Sequence, residues 1–378
     1  MHNNQPAPSG SGDQNHDPPR QGGRKPCAST HPTATLKSVE AYTIMTQAAE
    51  EGASDVILSA GQPLALRVNG NINVIGTALT TEQVQRFIDE LRTSEQRADP
   101  KNDFSRDVAR FPARMRINIS NDHRGPVVTV RLIRRDLPAP AELGVPQAII
   151  TRVQQCAPGL ILISGPTDSG KSTTIASCIA HALKTRPLHV LTIEDPVEYL
   201  IPPGQGVINQ REVERADFPH AVTNSLRQVP DIIMIGELRG RESLQAALEA
   251  AESGHLVIAS VHARNAIDAV QRIATSFPDA RQSSVLQQLS SVLIASLHQR
   301  LLPDRQGGRT MINELLLNLP HVRGNVASGA FHQIPNQMST GSKYGLHTLQ
   351  HDLEQKAGQL QAEYVKLLNA EFAPTPTP

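Results

Sequence analysis

Apolar positions along this chain keep three different rhythms. Over residues 1–35 large apolar side chains are almost absent among Pro, Gly, Ser, Asn and Gln. Such a stretch cannot bury enough surface to offset its ordering entropy, so a disordered N-terminal extension is expected there. Over 36–135 helical and strand rhythms alternate. Val39, Tyr42, Met45 and Ala49 recur at helical spacing, and Ser54–Ala60 and Ala65–Ile75 read as strands. Asn69-Gly70 supplies a hairpin turn within the second run. Thr80 with Gln83 forms a capping box that opens a helix carrying Val84, Phe87, Ile88 and Leu91 on one stripe. Arg114–Ser120 and Val127–Ile133 complete a small sheet, which makes 36–135 an α+β domain. The two prolines of Asp136–Ala141 mark a linker over 136–143.

From residue 144 to 320 the apolar runs become continuous: Leu160–Ile163, Val190–Ile193, Ile232–Ile235 and Leu256–Val261. Strands without polar alternation are buried on both faces, which predicts an α/β fold with a mostly parallel sheet between helices. A long amphipathic helix is expected near Gln282–Leu302, carrying Val285, Leu289, Val292, Leu293, Ser296 and Leu297. More helix is expected from there to about Asn369, with 321–370 as the C-terminal helical region. Residues 371–378, where Pro and Thr alternate, read as a disordered tail. No internal repeat is visible.

The first of these runs leads straight into Gly165-Pro166-Thr167-Asp168-Ser169-Gly170-Lys171-Ser172-Thr173. This is the phosphate-cradling pattern G-x-x-x-x-G-K-[ST]. Glycines let backbone N–H groups converge on phosphate oxygens, and a helix starting near Lys171 points its positive end at the same anion. Lys171 reaches the β/γ phosphates in this pattern, and the Ser172 hydroxyl ligates Mg²⁺. The amphipathic Ile175, Cys178, Ile179 and Leu183 support the helix. The chain is therefore expected to bind ATP with Mg²⁺ on a RecA-like P-loop domain.

Three further clusters accompany the later runs: Thr192–Glu198, Ile235–Arg239 and Gly254–His262. Ligands of open α/β sheets collect beyond the carboxyl ends of strands. Triphosphate hydrolysis needs an oriented water, a metal on the β/γ oxygens and donors for charge growing on the γ-phosphate. Glu194 suits the water, Glu237 the Mg²⁺ shell and His262 the γ-phosphate, with His255 at the other end of the same run. Arg116 and Arg131 alternate with apolar residues on strands of the first domain, so they project from one sheet face. An arginine given in trans to a neighbour's triphosphate is one use for them.

Composition narrows the partners. Lys plus Arg and Asp plus Glu both number 36, there is no Trp, and aromatic residues make up 3%. Neither a polyanion groove nor base-stacking platforms are well supplied, so no direct nucleic-acid contact is expected. The three cysteines form no C-x-x-C pair, which fits a reducing cytoplasm. No apolar stretch approaches 18 residues, so work at a membrane proceeds from its edge, through partners.

Taken together the chain resembles the secretion and pilus ATPase superfamily, and within it the PilT-type twitching motors. GPTDSGKST resembles that family's Walker A, TIEDPVEY its Asp box, RQVPDIIMIGELR its atypical Walker B and ESGHLVIASVH its His box, in the family's order. SDVILSAGQPLALRVNG and RMRINIS are similar to its PAS-like N-terminal domain, and STGSKYGLHTLQHDL to its C-terminal helices. The resemblance implies a homohexameric motor, cytoplasmic and peripheral at the inner membrane, acting on a platform or secretion-channel protein. It implies Glu194 as catalytic glutamate, Glu237 as Walker B glutamate, His255 and His262 as the His-box pair, and Arg116 and Arg131 as the arginines that complete the site. It also carries departures: no four-cysteine zinc module, and PHVRGNVASG (Pro320 to Gly329) where twitching motors carry their retraction signature. A RecA-like nucleic-acid translocase and a non-hydrolysing nucleotide switch are the other readings of a P-loop.

Overall fold

The computed structural model describes residues 40–98, 102–106, 108, 111, 113–134 and 136–372, all within the compact unit Leu36–Pro378. The expected extension over 1–35, Val39 of the first helix and the tail from Ala373 onward lie outside the described residues.

The first sheet has six strands: β1 (Ala53–Ser59), β2 (Leu64–Val68), β3 (Asn71–Ile75), β4 (Asp103–Arg106), β5 (Ala113–Asp122) and β6 (Gly125–Arg134). Their order is β3-β2-β1-β6-β5-β4, and every neighbouring pair is antiparallel. Asn69 and Gly70, with φ of 50° and 86°, form the tight turn between β2 and β3. The capping box stands as expected: Gln83 N–H donates to Thr80 Oγ1 and Thr80 N–H to Gln83 Oε1. Its helix, Thr81–Leu91, buries Val84, Phe87, Ile88 and Leu91.

The first helix, Ala41–Glu50, is rotated from the expected stripe and buries Ala41, Ile44, Met45 and Ala48. Tyr42 sits at its flank, where the Arg106 guanidinium lies 5.4 Å from the ring centroid. One face of the sheet joins these helices in a core that includes Val56, Leu58, Met115, Ile117, Val128 and Val130. Alternation then sends Arg114, Arg116 and Arg131 to the other face. Asp55, Arg131 and Arg116 form one row across β1, β6 and β5.

The second sheet has seven strands: β7 (Gly159–Ser164), β8 (His189–Glu194), β9 (Val207–Glu212), β10 (Ile232–Ile235), β11 (Leu256–Val261), β12 (Leu293–Pro303) and β13 (Arg309–Leu317). Their order is β13-β12-β7-β11-β10-β8-β9. All pairings are parallel except the edge strand β13 on β12. Every residue of β7, β10 and β11 is buried, the signature read from their unbroken apolar runs.

The expected helix over Gln282–Leu302 is corrected. A helix spans Asp279–Val292 and buries Val285, Leu289 and Val292, but Leu293, Ser296 and Leu297 belong to β12. The helical rhythm runs by coincidence into a continuous apolar segment. That segment gains hydrogen-bonded partners on both sides, β7 and β13, which periodicity within one segment cannot reveal. Strand β13 likewise occupies a stretch expected to be helical, and β4 and β9 are unforeseen. Beyond β13 helices cover Pro320–Ser328, Ile334–Thr340, Leu349–Lys356 and Ala362–Phe372. Leu349, Leu353, Leu360 and Leu368 pack there on Leu302 and Ile312 of the β12–β13 hairpin. Among the described residues no helix is long and apolar enough to cross a membrane.

Candidate nucleotide site

Strand β7 ends at the fully buried Ser164, and the chain turns through Gly165–Gly170 into the helix Lys171–Thr185. Asp168 and Gly170 take left-handed backbone, φ 63° and 84°. A Cβ at Gly165 would collide with the Gln299 carbonyl oxygen and Ser169 Oγ. Two residues of the β12–β13 hairpin grip the loop: Gln299 Nε2 donates to the Ser169 carbonyl at 2.6 Å, and Arg309 Nη1 to Asp168 Oδ2 at 2.9 Å. Lys171 Nζ donates to the carbonyls of Gly165 (2.9 Å) and Pro166 (2.7 Å). Burial pulls its pKa below the usual lysine value, against the opposing charges of Glu237, Glu198 and Asp168. The Thr173 hydroxyl lies 2.8 Å from that of Tyr199.

Strands β8, β10 and β11 run in register, Ile193 beside Ile235 beside Ala259, so their carboxyl ends stand level. Glu194 closes β8 and is 6% exposed. Its Oε1 accepts from Thr192 Oγ1 at 2.7 Å and Gln210 Nε2 at 3.3 Å. Burial raises its pKa above the ordinary 4.5, more than those donors lower it. Gln210 Nε2 also donates to the Tyr199 carbonyl, and its Oε1 accepts from Ile201 N–H, which pins the loop after Glu194. Beyond β10, Glu237 Oε1 accepts from Arg239 Nε at 2.6 Å and lies 3.1 Å from His262 Nε2. His262, directly after β11, is held below the usual histidine pKa by burial first and then by Lys171.

His255 does not join this group. It precedes β11 at the amino end, with Nδ1 3.2 Å from the Ala250 carbonyl and 3.1 Å from Ser253 Oγ. Its own carbonyl accepts from Gly159 N–H. A strand of this length separates it from His262 by about 20 Å, so the two histidines stand at opposite ends of one interior strand.

The arginine face of the first sheet meets the site of its own chain. Arg116 Nη1 is 4.0 Å from Glu198 Oε1 and its Nη2 3.4 Å from Asp103 Oδ2. Arg114 Nη2 lies 3.9 Å from Glu212 Oε2. Arg131 Nε donates to Asp55 Oδ1 at 2.9 Å and also feels the charges of Asp168 and Glu198. Within the chain these arginines thus have carboxylate partners of their own. Gln299 and Arg309 were missed because β12 and β13 were read as helix. Polar Ser296, His298 and Gln299 inside an apolar run were the available signal.

A buried strand, a glycine loop, a helix that opens with Lys171 and carboxylates at neighbouring strand ends define a P-loop ATPase. The chain belongs to the Type II/IV secretion system protein family, whose model matches residues 33–309. It is 36% identical over 308 residues to the type IV pilus retractation ATPase PilT of Pseudomonas aeruginosa, covering 80% of this chain and 89% of that protein. A crystal structure of the pilus retraction motor PilT with bound ADP matches with a TM-score of 0.77 at 34% identity, over 90% of this chain and 98% of the other. The X-ray structure of the Legionella pneumophila ATPase DotB gives the same TM-score at 25% identity, again over 90% and 98%.

Proposed function

We propose that this chain is the motor ATPase of a type IV pilus or type IV secretion apparatus. In this reading it works as a homohexamer on the cytoplasmic side of the inner membrane, against a platform or secretion-channel protein. One observation carries the reading: Glu194, Glu237 and His262 gather at the level ends of β8, β10 and β11 while Arg116 and Arg131 of the first sheet face the same place. A triphosphate on the Gly165–Thr173 loop meets both sheets at once.

Each group has a part to play. The loop amides and Lys171 hold the phosphates. Glu194 orients water in line with the γ-phosphorus, and its raised pKa makes it a stronger base than a free carboxylate. His262 and the arginines donate to charge spreading over the γ oxygens. The Ser172 hydroxyl and the Glu237 carboxylate are hard oxygen donors, as Mg²⁺ prefers. Among the described residues no three His, Cys, Asp or Glu side chains cluster as a self-sufficient metal cage. That donor set suits an ion that keeps several waters and takes its other ligands from phosphates. Mg²⁺ would supply charge neutralisation at the β/γ oxygens. Coupling to motion follows from exchange of partners. Arg116 and Arg131 contact Glu198 and Asp55 in this state, and phosphate oxygens offer them a stronger anion. Binding and release of phosphate therefore shift the first sheet against the second.

The test is phosphate release from Mg·ATP by the full chain, with Lys171→Ala as control and light scattering for assembly. Turnover that rises more than linearly with concentration and vanishes in Lys171→Ala supports the reading. No affinity for Mg·ATP by calorimetry removes it.

A further inference from the structure

We propose that Gln299 is a positioning residue that sets the direction of a phosphate-binding amide. The inference rests on the nucleotide reading of the Gly165–Thr173 loop and goes beyond it. Gln299 lies on β12, outside every nucleotide motif, and is fully buried. The loop's first glycine is fitted to it, and a Cβ on Gly170 would lie in ordinary van der Waals contact with it. A Cβ at Gly165 would strike its carbonyl oxygen, and one at Gly170 would stand 3.4 Å from its Nε2. Its carboxamide is an unusual choice for this place. Nε2 donates to the Ser169 carbonyl at 2.6 Å, yet Oε1 is buried with no hydrogen-bond partner, and so is Ser169 Oγ. A methionine would fill the same space without the unpaired Oε1, but it would leave the Ser169 carbonyl without its donor. The grip on Ser169 is what the carboxamide adds.

That grip has a geometric consequence. In a trans peptide the C=O and the following N–H point in opposite directions across one plane. Tying the Ser169 carbonyl to Gln299 therefore turns the Gly170 N–H away from β12, into the hollow of the loop. Asp168 and Gly170, on either side of Ser169, are left-handed, so this peptide lies outside the hydrogen-bond ladder of the helix that begins at Lys171. The side chain of Gln299 fixes its plane instead, so the loop meets an anion with its amide already aimed.

The experiment compares Mg·ADP affinity of the full chain by calorimetry from pH 6 to pH 8.5, with thermal melts as fold controls. Gln299→Glu keeps the shape but replaces the donor with a second oxygen. At this buried position the carboxyl pKa rises. The protonated form can donate to Ser169, and the ionised form repels it. The variant should bind about tenfold more weakly than wild type at pH 8, and the ratio should close as pH falls toward 6. Gln299→Met should bind more weakly at every pH, by a constant factor, with an unchanged melting temperature. A ratio independent of pH for the Glu variant overturns the proposal, as does full affinity in the Met variant. Should the Glu variant fail to fold, the Met variant alone decides on the same grounds. If wild type itself does not bind Mg·ADP, the nucleotide reading falls and takes this inference with it. If wild type binds and the variants match it, only the role of Gln299 is lost.

Discussion

Arg300 and Glu371 join at two points: Nη1 to Oε2 and Nη2 to Oε1, both at 2.9 Å. This fork lashes the helix Ala362–Phe372 to β12, one residue beyond the side chain that grips the phosphate loop. Glu371 and Phe372, expected to belong to the tail, are helical. Glu371 is about half exposed, so the pair contributes about 1 kcal/mol or less. Glu371→Ala should raise amide exchange across residues 362–372 and leave the melting temperature within a few degrees. Unchanged exchange would show that Leu368 and its neighbours hold the helix without the fork.

Glu194→Gln keeps the hydrogen-bonding shape but removes the base. Hydrolysis should fall by about 10²- to 10⁴-fold while Mg·ADP affinity stays within a factor of two or so. In wild type the acid limb of the rate profile should lie above 4.5, because burial favours the protonated carboxyl. A variant that turns over at the wild-type rate assigns the water to another group.

His298 offers a stability test. It is 1% exposed, lies 3.2 Å from Ser164 Oγ through Nδ1, and has no partner on Nε2. Burial, then Arg300 and Lys171, push its pKa down to about 4 from 6.5. A depressed histidine stabilises the fold above its unfolded pKa, and that contribution is lost as pH falls through the interval to the folded value. Wild type should therefore lose about 3 kcal/mol between pH 6.5 and 4 through this group. His298→Gln should flatten that part of the curve in urea melts. Parallel curves for the two proteins would mean that other groups carry the acid sensitivity.

Arg116 decides whether the arginines work within one chain. Its contact with Glu198 places it at its own site. Arg116→Ala should lower hydrolysis by about tenfold, and mixing it with Lys171→Ala chains should restore nothing. Recovery on mixing would show that the arginine crosses to a neighbour.

The sequence made some features plain and concealed others. Runs such as Ile232–Ile235 announce themselves because a strand covered on both faces has no room for alternation. The loop from Gly165 to Thr173 is equally legible, since its spacing is fixed by contact with phosphate. The segment from Leu293 to Leu317 was hidden: its identity lies in neighbours far along the chain, and its first turn mimics a helical stripe. Gln299 and Arg309 were hidden with it. His255 and His262 were legible as the two ends of one run; that His262 alone lies against Glu237 took the fold to see.

The hydroxyl contact between Thr173 and Tyr199 gives the molecule an optical probe of its own. The chain has no Trp and four Tyr, so its ultraviolet emission is sparse and unquenched by energy transfer to indole. One of those few phenols touches the residue next to Ser172. Replacing Tyr42, Tyr344 and Tyr364 by Phe would leave a protein whose residual glow reports the loop alone, in real time and without a dye.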